Sequence, residues 1–240
     1  MTIHLKANGL ENDVVLWRYM DVGKFISMLQ KEIIWLARAD TFVDKHEGRF
    51  PEEMRGYIEK AYENMPSNDE SPVRDAIDFQ DYLVKNTFIS CWHKNTEESM
   101  VIWSMYGKDQ NSVAIQTTAD SLKKSVNPAL LSGNSLWLKE VLYENADAID
   151  GVLRYEDCFF RKRRHFSFEK EVRISLDTYS KEYPSKKTPV GYELNVSMDT
   201  LIHKILVHPD SKPWFLDAIK SVSAIYKLKA VVDFGVFGDE

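Results

Sequence analysis

The chain has 240 residues, of which 44% are hydrophobic and 28% are charged, an ordinary composition for a soluble globular protein. Its 31 basic and 37 acidic residues give a net charge of −6, which excludes the overall basic surface of a dedicated DNA-binding domain. The two cysteines lack metal-ligand spacing, and no apolar run is long enough to cross a bilayer. We therefore expect a cytoplasmic protein with reduced thiols and no membrane segment.

The first half of the chain is predicted to alternate between strands and helices. Asp21 is a predicted helix N-cap, because Phe25, Met28 and Leu29 follow it on one helical face. The unbroken β-branched and aromatic run over residues 87–92 indicates a strand. In chain order we predict a strand over 14–19, the helix capped by Asp21, a strand over 33–37, helices over 51–63 and 73–85, and the strand over 87–92.

The second half is predicted to mix the two kinds of element without a strict βαβ order. Asn95 and Glu98 resemble a capping box that opens a helix ending at Gly107, and Thr118 or Asp120 is predicted to cap a short helix. The other predicted elements are strands over 112–116, 139–143, 166–176, 201–207 and 227–234 and helices over 149–164 and 212–222. We therefore predict a single α+β domain over residues 1–240, with a mixed, largely antiparallel sheet and a helical insertion at about 50–85.

The stretch from Phe166 to Leu176 carries the strongest candidate for chemistry. Its two-residue alternation predicts a strand with apolar side chains on one face and Glu169, Glu171 and Arg173 together on the other. Two carboxylates beside an arginine can stabilise positive charge that develops in a reacting substrate. The alternative is a half-solvated strand on which Arg173 neutralises Glu171.

Two other groups of residues are candidates for binding. Asp44 and Glu47, together with His46 in the same polar loop, could ligate a divalent ion or orient a substrate, although solvated loop carboxylates are common. Ser99, Trp103 and Tyr106 fall on one predicted helical face, which indicates either a core stripe or a pocket wall with Trp103 as a stacking surface.

Several familiar site motifs are missing from the sequence. It contains no nucleotide-binding glycine loop, so anion binding would depend on side chains such as Arg18. Cys91 precedes His93 on a predicted strand but is expected to pack as a small apolar group, which argues against a thiol enzyme. The basic run over 161–164 could contact a phosphate backbone or simply complement a helix end.

The ordered combination of several short segments resembles a widespread bacterial family known only as a domain of unknown function, number twenty-nine seventy-one. The resemblance implies an association with mobile-element and phage-defence neighbourhoods, but no activity. The matching segments are Leu16-Trp17-Arg18-Tyr19, Phe42-x-Asp44-x-x-Glu47-Gly48, Ser90-Cys91-Trp92, Glu98-Ser99-x-x-x-Trp103-x-x-Tyr106-Gly107, Val113-Ala114-Ile115, Val141-x-Tyr143 and Phe168-Glu169-x-Glu171-x-Arg173.

A second resemblance suggests a chemistry. Arg18 at the end of a first strand, Ser90 on a middle strand and Glu169-x-Glu171 on a late strand follow the order of the arginine, serine and glutamate motifs of ADP-ribosyltransferases. The chain has Ser90-Cys91-Trp92 where that family usually shows a serine-threonine-serine triplet.

This second resemblance implies a role for each matching residue. Arg18 would support the phosphates of NAD, and Ser90 would brace the site. Glu171 would stabilise the oxocarbenium-like state as nicotinamide leaves, and Glu169 would engage the acceptor. Tyr19 or Trp103 would stack on nicotinamide.

The leading hypothesis is therefore an NAD-consuming, ADP-ribosyltransferase-like enzyme of a bacterial toxin or antiphage defence system. Its expected partners are NAD or a related nucleotide as substrate, a protein or nucleic-acid acceptor, and a partner protein of the defence system. The first alternative is a non-catalytic binding or sensor module with a recognition pocket that includes Arg18, Asp44, Glu47 and Glu171. The second is a metal-dependent nuclease that uses Asp44, Glu47 and Glu98, although we expect no metal requirement.

Overall fold

The computed structural model describes residues 6–7, 10–42, 48–64, 75–127, 129, 134–144, 154–178 and 189–236. Within these ranges, all strands but two short ones belong to one sheet. In chain order the strands are β1 (Lys6–Ala7), β2 (Val15–Asp21), β3 (Ile33–Arg38), β4 (Thr87–Lys94), β5 (Ser112–Thr118), β6 (Ser135–Glu140), β7 (Leu142–Glu144), β8 (Arg161–Arg163), β9 (Glu171–Asp177), β10 (Gly191–Asn195), β11 (Lys204–Val207) and β12 (Val231–Phe234).

The main sheet is mixed and largely antiparallel. Its order is β1-β6-β9-β4-β2-β5-β11-β12, and β3 adds to β4 on one side and to β10 on the other. The β1–β6 and β11–β12 pairs are parallel, and the other pairs in this sheet are antiparallel. The predicted α+β class is therefore confirmed, while the single-domain organisation stays a prediction.

The helices lie between the strands in an irregular order. Two of them fall in the predicted helical insertion. The helices are α1 (Val22–Lys31), α2 (Glu52–Glu63), α3 (Ala76–Lys85), α4 (Met100–Tyr106), α5 (Ala119–Ser125), α6 (Met198–Leu201) and α7 (Pro213–Ile225), and 3₁₀ turns cover Ala39–Thr41, Tyr155–Phe160 and Arg164–Glu169.

Side-chain caps fix where several helices begin. The Asp21 carboxylate accepts a hydrogen bond from the Lys24 backbone N–H at 2.8 Å, which confirms this predicted cap. Of the two candidates at the start of α5, Thr118 is the N-cap, and Asp120 lies in the first turn. The predicted start of α4 at Asn95 was wrong, because Ser99 is its N-cap and accepts from the Ile102 N–H at 3.4 Å.

The helix predicted over 149–164 does not form in its described part. Residues Tyr155–Phe160 form a 3₁₀ turn in which the consecutive residues Cys158, Phe159 and Phe160 are all buried, so the chain does not show the single apolar face of an amphipathic α-helix. The basic residues that follow form β8, which pairs with β7. Residues 149–153 lie outside the described part of the chain.

The strand predicted over 166–176 was wrong in its first half. Residues Arg164–Glu169 form a 3₁₀ turn, and Lys170 takes the left-handed conformation with φ of 41°, so the extended chain begins at Glu171. Phe168 is exposed and Glu169 is buried, the reverse of the predicted alternation. The remaining strand, β9, is buried at every position.

Both faces of β9 are covered. Val172, Ile174 and Leu176 enter the largest core with residues from α1, α5 and α7. By alternation, Glu171 and Arg173 project to the opposite face, where smaller apolar clusters gather around Phe159 and Trp103. A polar strand face is thus buried inside the protein.

Candidate active site

A cavity of about 600 Å³ lies where two neighbouring strands of the main sheet separate. β2 pairs with β4 through Leu16↔Lys94 and Trp17↔His93, whereas Ile89 of β4 pairs with Ala37 of β3. Residues of β2, α1, β3, β4 and α4 line the cavity together with Glu169 and Glu171. Its size is in the range of small-molecule and cofactor sites.

The sequence-predicted site residues fall into three groups. Six of them line the cavity, namely Arg18, Tyr19, Ser90, Tyr106, Glu169 and Glu171. Ser99, Trp103 and Arg173 are not in the cavity wall but contact residues that are. Asp44 and Glu47 lie outside the described residues.

A lysine joins the two glutamates. The Lys162 ammonium is bonded to the carboxylate of Glu169 and lies 2.8 Å from Glu171 Oε1. All three side chains are at least nine-tenths buried. The Tyr106 hydroxyl donates to Glu169 Oε1 at 3.1 Å, so α4 is tied to the same cluster.

Arg173 binds the Glu171 carboxylate from the protein interior. Its side chain is fully buried, and its Nε donates to Glu171 Oε2 at 2.5 Å. Its Nη1 donates to the Phe159 carbonyl at 2.8 Å. The Glu171 backbone N–H donates to the Tyr143 hydroxyl at 2.7 Å, so both the side chain and the main chain of Glu171 are fixed.

The two glutamates have opposite pKa shifts. Burial, together with the adjacent Glu171, raises the pKa of Glu169 to about 7. Burial also opposes ionisation of Glu171, but the charges of Arg173 and Lys162 outweigh it and hold the pKa of Glu171 well below its usual range. The pair therefore combines a permanent carboxylate with a carboxyl group that exchanges its proton near neutral pH.

Glu169→Gln is expected to remove part of the pH dependence of stability. From its ordinary pKa of 4.5 up to about 7, folded Glu169 retains a proton that the unfolded chain has lost, so the wild-type unfolding free energy falls through this group as pH rises. Glutamine does not titrate, so the variant lacks this contribution to the pH dependence of the unfolding free energy. In urea unfolding, the free energy of the variant relative to wild type should increase from about pH 5 to about pH 7. A difference independent of pH would contradict the raised pKa.

Four polar atoms in residues of the cavity wall are buried without a hydrogen-bond partner among the described residues. They belong to residues of strands β2 and β4. They are Arg18 Nη1, Ser90 Oγ, Trp92 Nε1 and His93 Nε2. Ser90 and Trp92 pair with Ile174 and Val172, whereas His93 pairs with Glu171 on the opposite face, so the four atoms line the cavity from both faces of the sheet. Because buried polar groups in proteins are nearly always bonded, the four atoms indicate a cavity suited to a polar ligand.

Arg18 crosses from β2 toward the neighbouring strands. Its Nη2 donates to the Trp35 carbonyl at 3.1 Å, and its guanidinium lies 5.6 Å from the centroid of the Trp92 ring. Burial lowers the pKa of Arg18 to about 10, which still leaves it cationic at neutral pH. Its Nη1 has donors to offer an anion in the cavity.

Tyr19 and Trp103 form a layered wall. The two rings meet edge to face with centroids 4.8 Å apart, and the Ser99 N–H donates to the Tyr19 hydroxyl at 2.9 Å. Trp103 is 2% exposed and donates from Nε1 to Glu98 at 2.6 Å. Tyr19 therefore faces the cavity, whereas Trp103 and Ser99 support it from behind.

Gly107→Ala is expected to disturb this wall. A Cβ at position 107 would lie 2.4 Å from Cε3 of the buried Trp103 ring, so the substitution should destabilise the protein by about 1–3 kcal/mol. Gly56→Ala, inside α2 with no atom within 4 Å of the new Cβ, is the matched control and should stabilise by about 0.5–1 kcal/mol. Urea unfolding of both variants measures the contrast, and equal effects would contradict it.

Sequence reasoning missed two members of the site, Lys162 and His93. Lys162 belongs to the basic run that was predicted to contact a phosphate backbone or to complement a helix end, and the structure instead buries it between two carboxylates. Lys162 could have been identified from the rule that two buried carboxylates require a cation nearby. His93 was noticed only as a neighbour of Cys91.

The described residues contain no group of three or more histidine, cysteine, aspartate or glutamate side chains that could hold a metal ion. Glu98, the nuclease candidate, accepts hydrogen bonds from Trp103 Nε1 and from the Val236 backbone N–H. Each of its two carboxylate oxygens thus accepts one of these bonds.

No described helix has the length and apolarity to span a membrane.

No protein-family model and no curated protein matches the chain, so the resemblance to the domain of unknown function stays a prediction. Solved structures of Thermus sp. 2.9 DarT do align with it. The complex with ADP-ribosylated ssDNA is 8% identical, with a TM-score of 0.41 over 92% of this chain and 94% of that chain. The complex with carba-NAD+ is 10% identical, with a TM-score of 0.40 over 93% and 96%. The complex with NAD+ is 9% identical, with a TM-score of 0.39 over 94% and 96%. These sequence identities and TM-scores are too low to assign an activity to this chain.

Proposed function

We propose that the protein is an NAD-consuming, ADP-ribosyltransferase-like enzyme that acts in a bacterial toxin or antiphage defence system. One observation carries the proposal: a single cavity brings together a guanidinium with an unpaired nitrogen, Arg18, and a carboxylate held ionised, Glu171. In NAD, the phosphates would complement the guanidinium, and the cationic nicotinamide ring would complement the carboxylate.

Arg18 is suited to the phosphate end of the substrate. A guanidinium binds phosphate oxygens through several donors at once, and Arg18 retains donors that no described residue uses. Ser90 Oγ and Trp92 Nε1 add two further unpaired groups in the same wall. Side chains thus supply the anion binding that a glycine loop would otherwise provide.

Glu171 is suited to the ribose end. As nicotinamide departs, positive charge develops on the ribose, and a fixed carboxylate stabilises it more than it stabilises the ground state. Each carboxylate oxygen can accept two hydrogen bonds, so the bonds to Lys162 and Arg173 leave capacity for a ribose hydroxyl. Tyr19 and Tyr106 supply aromatic surface for the nicotinamide ring.

Glu169 is suited to the acceptor. Its raised pKa lets it gain or lose a proton near neutral pH, whereas Glu171 stays charged. We assign it to the positioning of a protein or nucleic-acid acceptor, beside the bond that is cleaved.

Titration calorimetry with NAD and measurement of nicotinamide release test the proposal. Purified protein should bind NAD saturably and release nicotinamide with at least one candidate protein or nucleic-acid acceptor. Failure to bind NAD and failure to release nicotinamide under all these conditions would overturn it.

One observation favours a second function, a non-catalytic recognition module. Lys162 already neutralises much of the charge of both glutamates, as in a structural ion-pair network. Saturable binding of NAD or a related nucleotide without any nicotinamide release would support this reading over the enzyme.

A further inference from the structure

His93 presents an unused base in the wall of the cavity. It lies on β4 opposite Glu171 in register and is 6% exposed. Its Nδ1 is 2.6 Å from the Glu169 backbone carbonyl oxygen. A carbonyl oxygen only accepts hydrogen bonds, so Nδ1 carries the proton and Nε2 carries a lone pair.

The surroundings keep this imidazole neutral. Burial and the nearby charge of Lys170 lower the pKa of His93, although the Glu169 carbonyl acts in the opposite direction. His93 Nε2 has no hydrogen-bond partner among the described residues. The titratable and charged groups next to His93 are Glu171 on β9, Glu169 and Lys170 before that strand, and Tyr19 on β2. Lys162 is bonded to both glutamates.

The two glutamates are less suited to take a proton from an incoming nucleophile. Glu171 is bonded to Lys162 and Arg173, and its low pKa makes it a weak base. Glu169, with its pKa raised to about 7, is already protonated in part at neutral pH, and its carboxyl group is bonded to Lys162 and accepts from Tyr106. Nε2 of His93, by contrast, has its lone pair unengaged by any described residue.

We propose that His93 Nε2 is the general base for the nucleophile that attacks the ribosyl carbon, which rests on the proposed function. The bond between ribose C1′ and the nicotinamide nitrogen breaks, and its electron pair stays with nicotinamide. The oxygen or nitrogen of a neutral nucleophile bonds to C1′, and its proton passes to Nε2 and from there to solvent. The acceptor class is therefore a neutral group that carries an O–H or N–H proton, including water.

A comparison of nucleophiles that must lose a proton with nucleophiles that have none to lose distinguishes a general base from a purely structural histidine. Water must lose a proton when it attacks, whereas azide and labelled nicotinamide, which exchanges into NAD, have none to lose. His93→Gln should lower NAD hydrolysis by about 10²–10⁴-fold and change azide capture and nicotinamide exchange only a few-fold. His203→Gln, at an exposed histidine outside the cavity, is the matched control and should behave as wild type.

The outcomes distinguish the two proposals. A wild type that leaves NAD intact with every nucleophile contradicts the proposed function itself. An active wild type whose His93→Gln variant hydrolyses NAD normally overturns only the role of His93, and so does a variant that loses all three reactions equally. If His93→Gln does not fold, His93→Ala with added imidazole replaces it, and restored hydrolysis supports the general base whereas failed rescue overturns it.

Discussion

Replacement of Glu171 by glutamine is expected to lower nicotinamide release from NAD by roughly two to four orders of magnitude, with little change in NAD binding. Glutamine retains the shape of the side chain and much of its hydrogen bonding but lacks the negative charge. If that charge acts only as nicotinamide departs, its loss falls on turnover and not on affinity. Calorimetry with NAD and initial rates of nicotinamide release measure the two effects separately.

The matched control is Glu140→Gln, which makes the same chemical change at an exposed glutamate of β6 that is paired with Lys94. It should leave both NAD binding and turnover unchanged. Glu169→Gln should spare NAD hydrolysis more than transfer, because its proposed partner is the acceptor. A Glu171→Gln variant that turns over NAD at the wild-type rate would contradict the assignment of Glu171.

Arg173→Met is expected to destabilise the protein by about 3–5 kcal/mol. Arg173 is fully buried, and its removal leaves Glu171 with one cation in place of two and the Phe159 carbonyl without its donor. Breaking a buried pair on one side exposes the remaining charge to the full cost of burial. Urea unfolding at neutral pH measures the change.

The double variant Arg173→Met with Glu171→Gln tests whether the cost comes from the stranded carboxylate. Because the second substitution removes that charge, the double variant should lose less stability than the sum of the two single variants, by about 0.5–3 kcal/mol. Arg49→Met, at an exposed arginine, is the control and should change stability by less than about 0.5 kcal/mol. Exact additivity would show that the Arg173–Glu171 contact contributes nothing of its own.

The local pattern of the sequence determined much of the secondary structure. Asp21 begins α1 and Thr118 begins α5, because an N-cap acts on backbone groups within three residues of itself. The strand over Thr87–Lys94 follows from a β-branched and aromatic run. The proximity of Glu171 and Arg173 was also local, since residues two apart along an extended chain lie on one face.

The same local reasoning failed where distant contacts outweighed periodicity. Glu169 sits in a 3₁₀ turn and not in a strand, because its side chain is bonded to Lys162 and its carbonyl to His93. The consecutive residues Cys158, Phe159 and Phe160 are all buried because α2 and α3 cover that face of the sheet. Neither contact is visible in the spacing of residues along the chain.

The candidate site, too, was predicted only in part from the sequence. The sequence by itself supplied its acids, its arginine and the prediction that Arg18 would replace a glycine loop in binding anions. Only the tertiary structure decided that β2 and β4 separate to open a cavity, that Trp103 supports Tyr19 from behind, and that His93 Nε2 is left unpaired. The physical reason is that helices and strands follow from interactions within a few residues, whereas a cavity and the charges around it depend on segments far apart in the chain.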